Sequence, residues 1–284
     1  MTNVGVPRAS ASRLAVLGSP IEHSLSPAIH RAAYENLGLA WTYVAAEVTA
    51  GGLSAWVNSL DEDWRGLSLT MPLKREVMPI LAARHPLVDL VGAANTVLVG
   101  QNGLVGFNTD VFGIVAALRA AGVARVSHVH MFGSGATAAS ALVALAQLGA
   151  RKVTVEARTV VNAAPLLALG QRLGIEVPVI PLAFESRLAR DVDLVVSTMP
   201  GGAVVGSPVD EAIRQRAVLF DVAYAPWPSP LAREWLEVGG RVVSGLDMLL
   251  HQAVGQVRVF LSGDPDLVLE NEAAVLGAMR AAVS

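Results

Sequence analysis

The chain has 284 residues, 53% of them hydrophobic and 16% charged, with a formal net charge of −3. That length corresponds to one or two domains, and that balance to a folded α/β enzyme rather than a disordered chain. The lack of cysteine excludes disulfides, thiolate metal sites and cysteine nucleophiles, and the lack of a long basic run argues against nucleic acid as a partner.

Residues 1–12 carry one Arg and no apolar run, so they read as a frayed extension and not a signal peptide. Strands and helices then alternate, the pattern of parallel sheets covered by helices. The first series is a strand at 13–18, a helix at 26–39 with Pro27 in its first turn, a strand at 41–48, a helix at 51–60 and a strand at 65–71. A helix at 74–83 follows, then strands at 95–99 and 104–108 around the hairpin signal Gln101-Asn102-Gly103. Residues 109–121 read as a helix, capped by Asn108 or Thr109. The second series is a strand at 126–132, a helix at 137–148, a strand at 152–156, a helix at 161–173, and strands at 175–181, 192–197, 217–222 and 241–243. Helices at 246–261 and 265–282 close the chain. The longest nearly apolar stretch, 137–150, is too short to cross a bilayer. The expectation is a small-molecule enzyme of the cytoplasm, with no membrane partner.

Two of the 21 basic residues are lysines, Lys74 and Lys152. Arginine holds its proton at any useful pH, whereas a lysine ammonium can release one when its surroundings lower its pKa. Lys74 ends the run Ser68-Leu69-Thr70-Met71-Pro72-Leu73-Lys74 and is a candidate for chemistry; a surface lysine is the bland alternative. Lys152 has no motif around it and reads as a surface charge.

Gly133-Ser134-Gly135-Ala136-Thr137-Ala138 has the form G-x-G-x-x-A between a strand and a helix of small residues. Gly133 allows the tight turn, Gly135 lets backbone approach a pyrophosphate at the helix N-terminus, and Ala138 permits close packing of helix on strand. The next strand ends Glu156-Ala157-Arg158-Thr159. An acid there binds the ribose 2′-hydroxyl of NAD, and an Arg accommodates the 2′-phosphate of NADP, so both cofactors stay open. Ser24 and Ser26, two apart in an extended turn, can point both hydroxyls one way toward a carboxylate or a hydroxylated ring. Alternatively Ser26 caps a helix and Ser24 is solvated. Asn95-Thr96 and Asn108-Thr109-Asp110 lie at strand ends, where ligands of α/β sheets collect. The six histidines show no ligand spacing and read as ordinary.

Together these stretches resemble the shikimate dehydrogenase family over nearly the whole chain. Ser24-Leu25-Ser26-Pro27 is similar to its substrate-carboxylate motif, and Thr70-Met71-Pro72-Leu73-Lys74 to its catalytic-lysine motif. Gly92-Ala93-Ala94-Asn95-Thr96-Val97 and Gly106-Phe107-Asn108-Thr109-Asp110 resemble the segments of its substrate Asn and catalytic Asp. Asp221-Val222-Ala223-Tyr224-Ala225-Pro226 and Gly245-Leu246-Asp247-Met248-Leu249-Leu250-His251-Gln252 resemble its later motifs. The resemblance implies an α/β fold with an N-terminal substrate domain at 1–110, completed by helices at 246–284. It implies a Rossmann-type NADP-binding domain at 111–245, and an active site in the cleft between the two. It implies reversible reduction of 3-dehydroshikimate to shikimate by NADPH in aromatic amino-acid biosynthesis, with Lys74 and Asp110 as the catalytic pair. Ser24 and Ser26 then hold the substrate carboxylate with Tyr224 nearby, and Thr70, Asn95 and Gln252 bind ring hydroxyls. Gly133, Ser134, Gly135, Ala136, Thr137, Ala138, Arg158, Thr159, Thr198, Met199 and Gly245 take the cofactor, NADP, with NAD as the alternative. A monomer or homodimer is expected, and no metal.

Ser68 stands where the family usually has Asn, which puts one substrate contact in doubt. Ala157-Arg158-Thr159, with Asn162 beyond, replaces the usual Asn-Arg-Thr and Lys on the adenine side. Quinate/shikimate or aminoshikimate dehydrogenase is the alternative within the family, and a non-catalytic shikimate or nucleotide sensor the alternative outside it.

Overall fold

The structure, a computed structural model, describes residues 11–182, 188–203 and 209–284. Most of the expected N-terminal extension, residues 1–10, lies outside the described residues. The chain divides into two compact units, Met1–Thr109 with Leu249–Ser284, and Asp110–Met248.

The first unit is built on β1 (Arg13–Gly18), α1 (Ser26–Asn36), β2 (Thr42–Glu47), α2 (Leu53–Val57), β3 (Trp64–Leu69), α3 (Leu73–Glu76), β4 (Ala83–Arg84), α4 (Pro86–Val91), β5 (Thr96–Gly100) and β6 (Gly103–Phe107). Its sheet runs β2-β1-β3-β5-β6-β4, parallel where β1 meets β2 and β3, antiparallel across β3/β5 and the β5/β6 hairpin. Leu17, Leu53, Leu67, Leu73, Val88 and Val97 fill the core against that sheet. The 74–83 helix expectation is corrected. Only Leu73–Glu76 is α-helical, because Pro79 lacks the N–H a continuing helix needs, and residues 78–80 form a 3₁₀ turn. The short helix α4 was missed, although His85 caps it and Gly92 ends it in a left-handed conformation.

The second unit holds α5 (Asp110–Ala120), β7 (His128–Phe132), α6 (Ala136–Gln147), β8 (Lys152–Ala157), α7 (Ala164–Leu173), β9 (Val179–Pro181), β10 (Leu194–Ser197), α8 (Glu211–Arg216), β11 (Val218–Asp221), α9 (Pro230–Glu237) and β12 (Val242–Ser244). Its strands pair all-parallel in the order β12-β11-β10-β7-β8-β9. From β7 outward the chain winds first to one side and then, from β10, to the other. This is the doubly wound dinucleotide-binding order, with its switch point between β7 and β10. Phe132, Val195, Ile213, Leu219, Leu231 and Trp235 pack the core on one side.

The helix α10 (Gly245–Ser262) brings the chain back to the first unit, and α11 (Glu272–Ala281) closes it against α1. Buried Arg258 grips Glu272 with two hydrogen bonds, Nε to Oε2 at 2.7 Å and Nη2 to Oε1 at 2.6 Å, and so ties α10 to α11. Burial pushes the Glu272 carboxyl up, but hydrogen bonding from Arg258 and the Leu269 N–H outweighs it and leaves the carboxyl below its ordinary range. The helix expected from residue 265 begins only at Glu272, after Asn271 takes a left-handed φ of 62°. Among the described residues no helix is long and apolar enough to cross a membrane.

Candidate active site

In the first unit, three separated chain segments deliver one buried polar cluster. Asn95, at the foot of β5, is 1% exposed. Its Oδ1 accepts from the Thr109 N–H at 2.8 Å and from Thr96 Oγ1 at 2.9 Å. Its Nδ2 donates to Thr109 Oγ1 at 2.9 Å and to Gln252 Oε1 at 3.2 Å. The β5/β6 hairpin explains the meeting of Asn95 with Thr109, because the Asn95 N–H donates to the Phe107 carbonyl two residues before Thr109. Gln252 arrives from α10.

One helical turn further along α10, Gln256 forms a second polar layer that sequence reasoning did not identify. Its Nε2 donates to the Asn95 carbonyl at 3.2 Å and to Thr96 Oγ1 at 3.1 Å. A carbonyl only accepts, so this fixes the amide orientation and turns Oε1 toward Ser68 Oγ at 2.9 Å and His30 Nε2 at 3.1 Å. His30 therefore carries its proton on Nε2, and its Nδ1 accepts from the Tyr34 hydroxyl at 3.0 Å. Tyr43 donates to Ser68 Oγ at 2.6 Å and stacks on the His30 ring at 4.0 Å. Burial removes the water that would stabilise an imidazolium, and the His30 pKa falls to about 3 despite the hydrogen bond to Gln256. Burial also raises both tyrosines above their ordinary range. The visible sequence signal was Gln256 four residues after Gln252, on the same helix face. Ser68 spends its hydroxyl inside this layer.

Lys74 stands near the start of α3. Buried Leu73 anchors the helix, the Leu73 N–H donates to the Thr70 carbonyl at 2.8 Å, and the Lys74 carbonyl accepts from Ala94 beside Asn95 at 2.9 Å. Thr70 sits against the end of β1, where a Cβ on Gly18 would lie 2.2 Å from its Cγ2, so only glycine admits Thr70 here. The serine geometry differs from the expected extended turn. Leu25 is α-helical in φ and ψ and acts as the N-cap residue, so Ser26 is already inside α1 and does not cap it. The two serines still lie together, with the Ser26 N–H reaching Ser24 Oγ at 3.4 Å.

In the second unit, Asp110 is the first residue of α5 and is 2% exposed. Tyr224 follows β11 on a loop braced by Asp221, which accepts from Ser229 Oγ at 2.6 Å and from the Ala223 N–H at 3.1 Å. Burial raises the pKa of both Asp221 and Tyr224. Gly245 opens α10, its N–H donating to the Ala223 carbonyl at 3.2 Å.

The loop after β7 has the shape a dinucleotide needs. Gly133 takes φ 103°, and a Cβ there would meet Thr198 Oγ1 at 2.4 Å. Thr198 is itself tied down through its hydroxyl to the Phe132 carbonyl at 3.0 Å, and Met199 packs onto the adjoining core. Gly135 is the N-cap of α6, no side chain caps it, and a Cβ on it would meet nothing within 4 Å. Ser134, Ala136 and Thr137 are half-buried around it, and Ala138 is fully buried against the sheet. The N-terminus of α6 thus starts at a glycine, uncapped by any side chain and with room beside it, as a phosphate-binding helix end requires.

The next strand decides between Glu156 and Arg158. Glu156 is fully buried, and its Oε2 shares a 3.0 Å hydrogen bond with His130 Nε2. Arg158 and Thr159 are exposed at the strand end. The acid that would serve NAD points into the protein, and the guanidinium that would serve NADP points to solvent.

A sequence profile described as shikimate dehydrogenase substrate binding domain matches residues 16–97. The shikimate dehydrogenase (NADP(+)) of Rubrobacter xylanophilus is 35% identical over 295 residues, covering 99% of both chains. The chain belongs to the shikimate dehydrogenase family. Among solved members, the Mycobacterium tuberculosis shikimate dehydrogenase superposes with a TM-score of 0.80 at 38% identity, over 95% of this chain and 99% of that one. The Thermus thermophilus shikimate 5-dehydrogenase, solved in complex with NADP(H) and shikimate, gives 0.79 at 32% identity, over 96% and 100%. The described loop, helix N-terminus and exposed Arg158 fit an NADP of that family.

Proposed function

We propose that the chain catalyses the reversible NADPH-dependent reduction of 3-dehydroshikimate to shikimate, as a cytoplasmic enzyme, monomeric or homodimeric. The observation that carries this reading is the buried Asn95–Thr109–Gln252 cluster, assembled from three segments around a side chain whose amide orientation is fixed before any ligand arrives. Such preorganised donors and acceptors suit the ring hydroxyls of a polyol acid. NADPH, when bound, supplies the hydride.

The chain's own residues do the rest. Reduction of a ketone leaves negative charge on its oxygen, and the Lys74 ammonium stabilises that charge and delivers the proton. Asp110 is assigned as the second member of the catalytic pair. Ser24 and Ser26 take the substrate carboxylate, with Tyr224 beside it. Thr70, Asn95 and Gln252 orient the ring, with the Gln252–Asn95 hydrogen bond yielding to a substrate hydroxyl. Phosphates rest on the Gly133–Ala138 loop, and Arg158 with Thr159 takes the ribose 2′-phosphate.

The test is a steady-state assay of shikimate, quinate and aminoshikimate, each with NADP and NAD. The expected result is highest kcat/KM with shikimate and NADP. Preference for quinate, or for NAD, would overturn the corresponding assignment. Ligand binding with no turnover on any substrate would reduce the protein to a sensor.

A further inference from the structure

The two sheets end in four edge strands, and one of them lacks every usual protection against pairing with another chain. β4 has two residues and carries Arg84, β9 has three and ends at Pro181, and β12 has three and follows Arg241. Short length, proline and charge are the devices that keep an edge closed. β2 instead runs six residues, Thr-Tyr-Val-Ala-Ala-Glu, in unbroken parallel register with β1. Among the described residues β1 is its sole strand neighbour. Val44, in the middle of β2, is 51% exposed.

The open side of β2 has a defined phase. The Thr42 N–H donates to the Ser12 carbonyl at 2.9 Å and the Val48 N–H to the Gly18 carbonyl at 3.0 Å, so the even-numbered residues bond inward to β1. The N–H and C=O of Tyr43, Ala45 and Glu47 therefore point outward. An antiparallel partner must present outward groups at matching positions, and β2 itself does. Two copies meet with Ala45 against Ala45 on a two-fold axis and Tyr43 against Glu47 on either side, and each exposed Val44 then lies beside Ala46 of the second copy. The charges agree as well. Glu47, the strand's one charged residue, meets Tyr43 and not its own copy. Diagonal to it lies Trp41, over whose ring the Arg65 guanidinium sits 5.5 Å from the centroid. Arg65 hydrogen-bonds the Phe260 and Leu261 carbonyls, neutral groups that leave its charge for an acid.

We propose that the outer edge of β2 is a dimerisation surface whose partner is a second copy of this chain, joined antiparallel about a two-fold axis at Ala45. The contact is isologous and occupies the edge on both chains, so it closes at two. It joins the first-unit sheets of the two chains into one. The surface selects the homodimer over the monomer and does not depend on the assigned reaction, since neither Val44 nor Ala45 belongs to the proposed site.

Sedimentation velocity of the native protein between about 1 and about 100 µM should give twice the chain mass. Ala45→Pro removes the outward N–H at the axis from both chains and leaves the inward bonds to β1 in place. It should weaken the dimer by at least about thirtyfold, the worth of the two hydrogen bonds exchanged there. Val44→Lys sets two ammonium groups close to the axis at a position already exposed, and should weaken the dimer by at least about tenfold in a protein with native circular dichroism. The chain has no cysteine, so Ala45→Cys offers a single thiol. A short bismaleimide should link two chains through it, whereas Arg84→Cys on the β4 edge should stay unlinked. Native protein that stays monomeric at about 100 µM overturns the proposal. A dimer that keeps native affinity in Val44→Lys overturns it too, as does one that links through position 84 and not through position 45. If Ala45→Pro does not fold, Val44→Lys and Ala45→Cys decide by the same criteria.

Discussion

Acid should weaken this protein through His30, by an amount the structure allows to be worked out. The folded-state pKa of His30 is about 3, against 6.5 for the ordinary side chain, and burial is the main cause. Between those values the unfolded chain binds a proton that the folded chain refuses. The stabilisation is therefore complete above pH 6.5, declines as the pH falls, and is exhausted near pH 3. From 6.5 down to pH 5 is about 1.5 pH units, and at about 1.4 kcal/mol per unit the loss is about 2 kcal/mol. The comparison is with His30→Gln, which keeps a neutral donor toward Gln256 but has no proton to gain. Urea unfolding of both proteins at about pH 7.5 and about pH 5 isolates the term, since every other titrating group is shared. The native protein should lose about 2 kcal/mol more than the variant over that interval. Equal losses in the two proteins would refute the conclusion that His30 is held neutral by burial.

Lys74→Ala should lower turnover by roughly 10²–10⁴-fold, the span of acid–base groups, in a protein whose circular dichroism is native; near-native turnover would remove Lys74 from the chemistry. Gly133→Ala forces a Cβ to within 2.4 Å of Thr198 Oγ1 at a φ of 103°, and calorimetric titration should find NADPH binding at least about tenfold weaker with shikimate binding retained. Gln256→Leu removes one hydrogen bond each from His30, Ser68, Thr96 and the Asn95 carbonyl, and denaturant unfolding should show a loss of about 2–4 kcal/mol together with a raised KM for shikimate. Glu272→Ala removes both carboxylate hydrogen bonds from buried Arg258 and should cost about 3 kcal/mol in the same measurement, more than a surface ion pair contributes.

The fold was legible where local pattern and packing agree. The strand at 13–18 matches β1 residue for residue, and the alternation from 126 onward gives the parallel second sheet. Misreadings cluster where the backbone departs from a simple period. Pro79 cuts the helix after Glu76, the left-handed Asn271 delays the last helix, and helical φ and ψ at Leu25 bring the two serines together by a route other than strand alternation.

The tie between Glu156 and Arg158 shows why the remainder could not be read from sequence. Alternation along β8 says that Glu156 faces opposite to Val155 and Ala157, but not which layer lies on that side. That depends on the register of β7 against β8, which sets Phe132 beside Glu156 and so brings His130 onto the same face. Read alone, His130 is an ordinary histidine and Glu156 a ribose ligand in waiting; paired and buried, they cancel each other's availability and leave the strand end to Arg158. The same holds for Gln256. Its spacing from Gln252 places it on the same helix face, but its partners come from α1, β3 and the start of β5, and only the folded sheet brings His30, Ser68 and Asn95 within reach of one amide. Local sequence specifies which groups can bond; tertiary register determines which of them remain for a ligand.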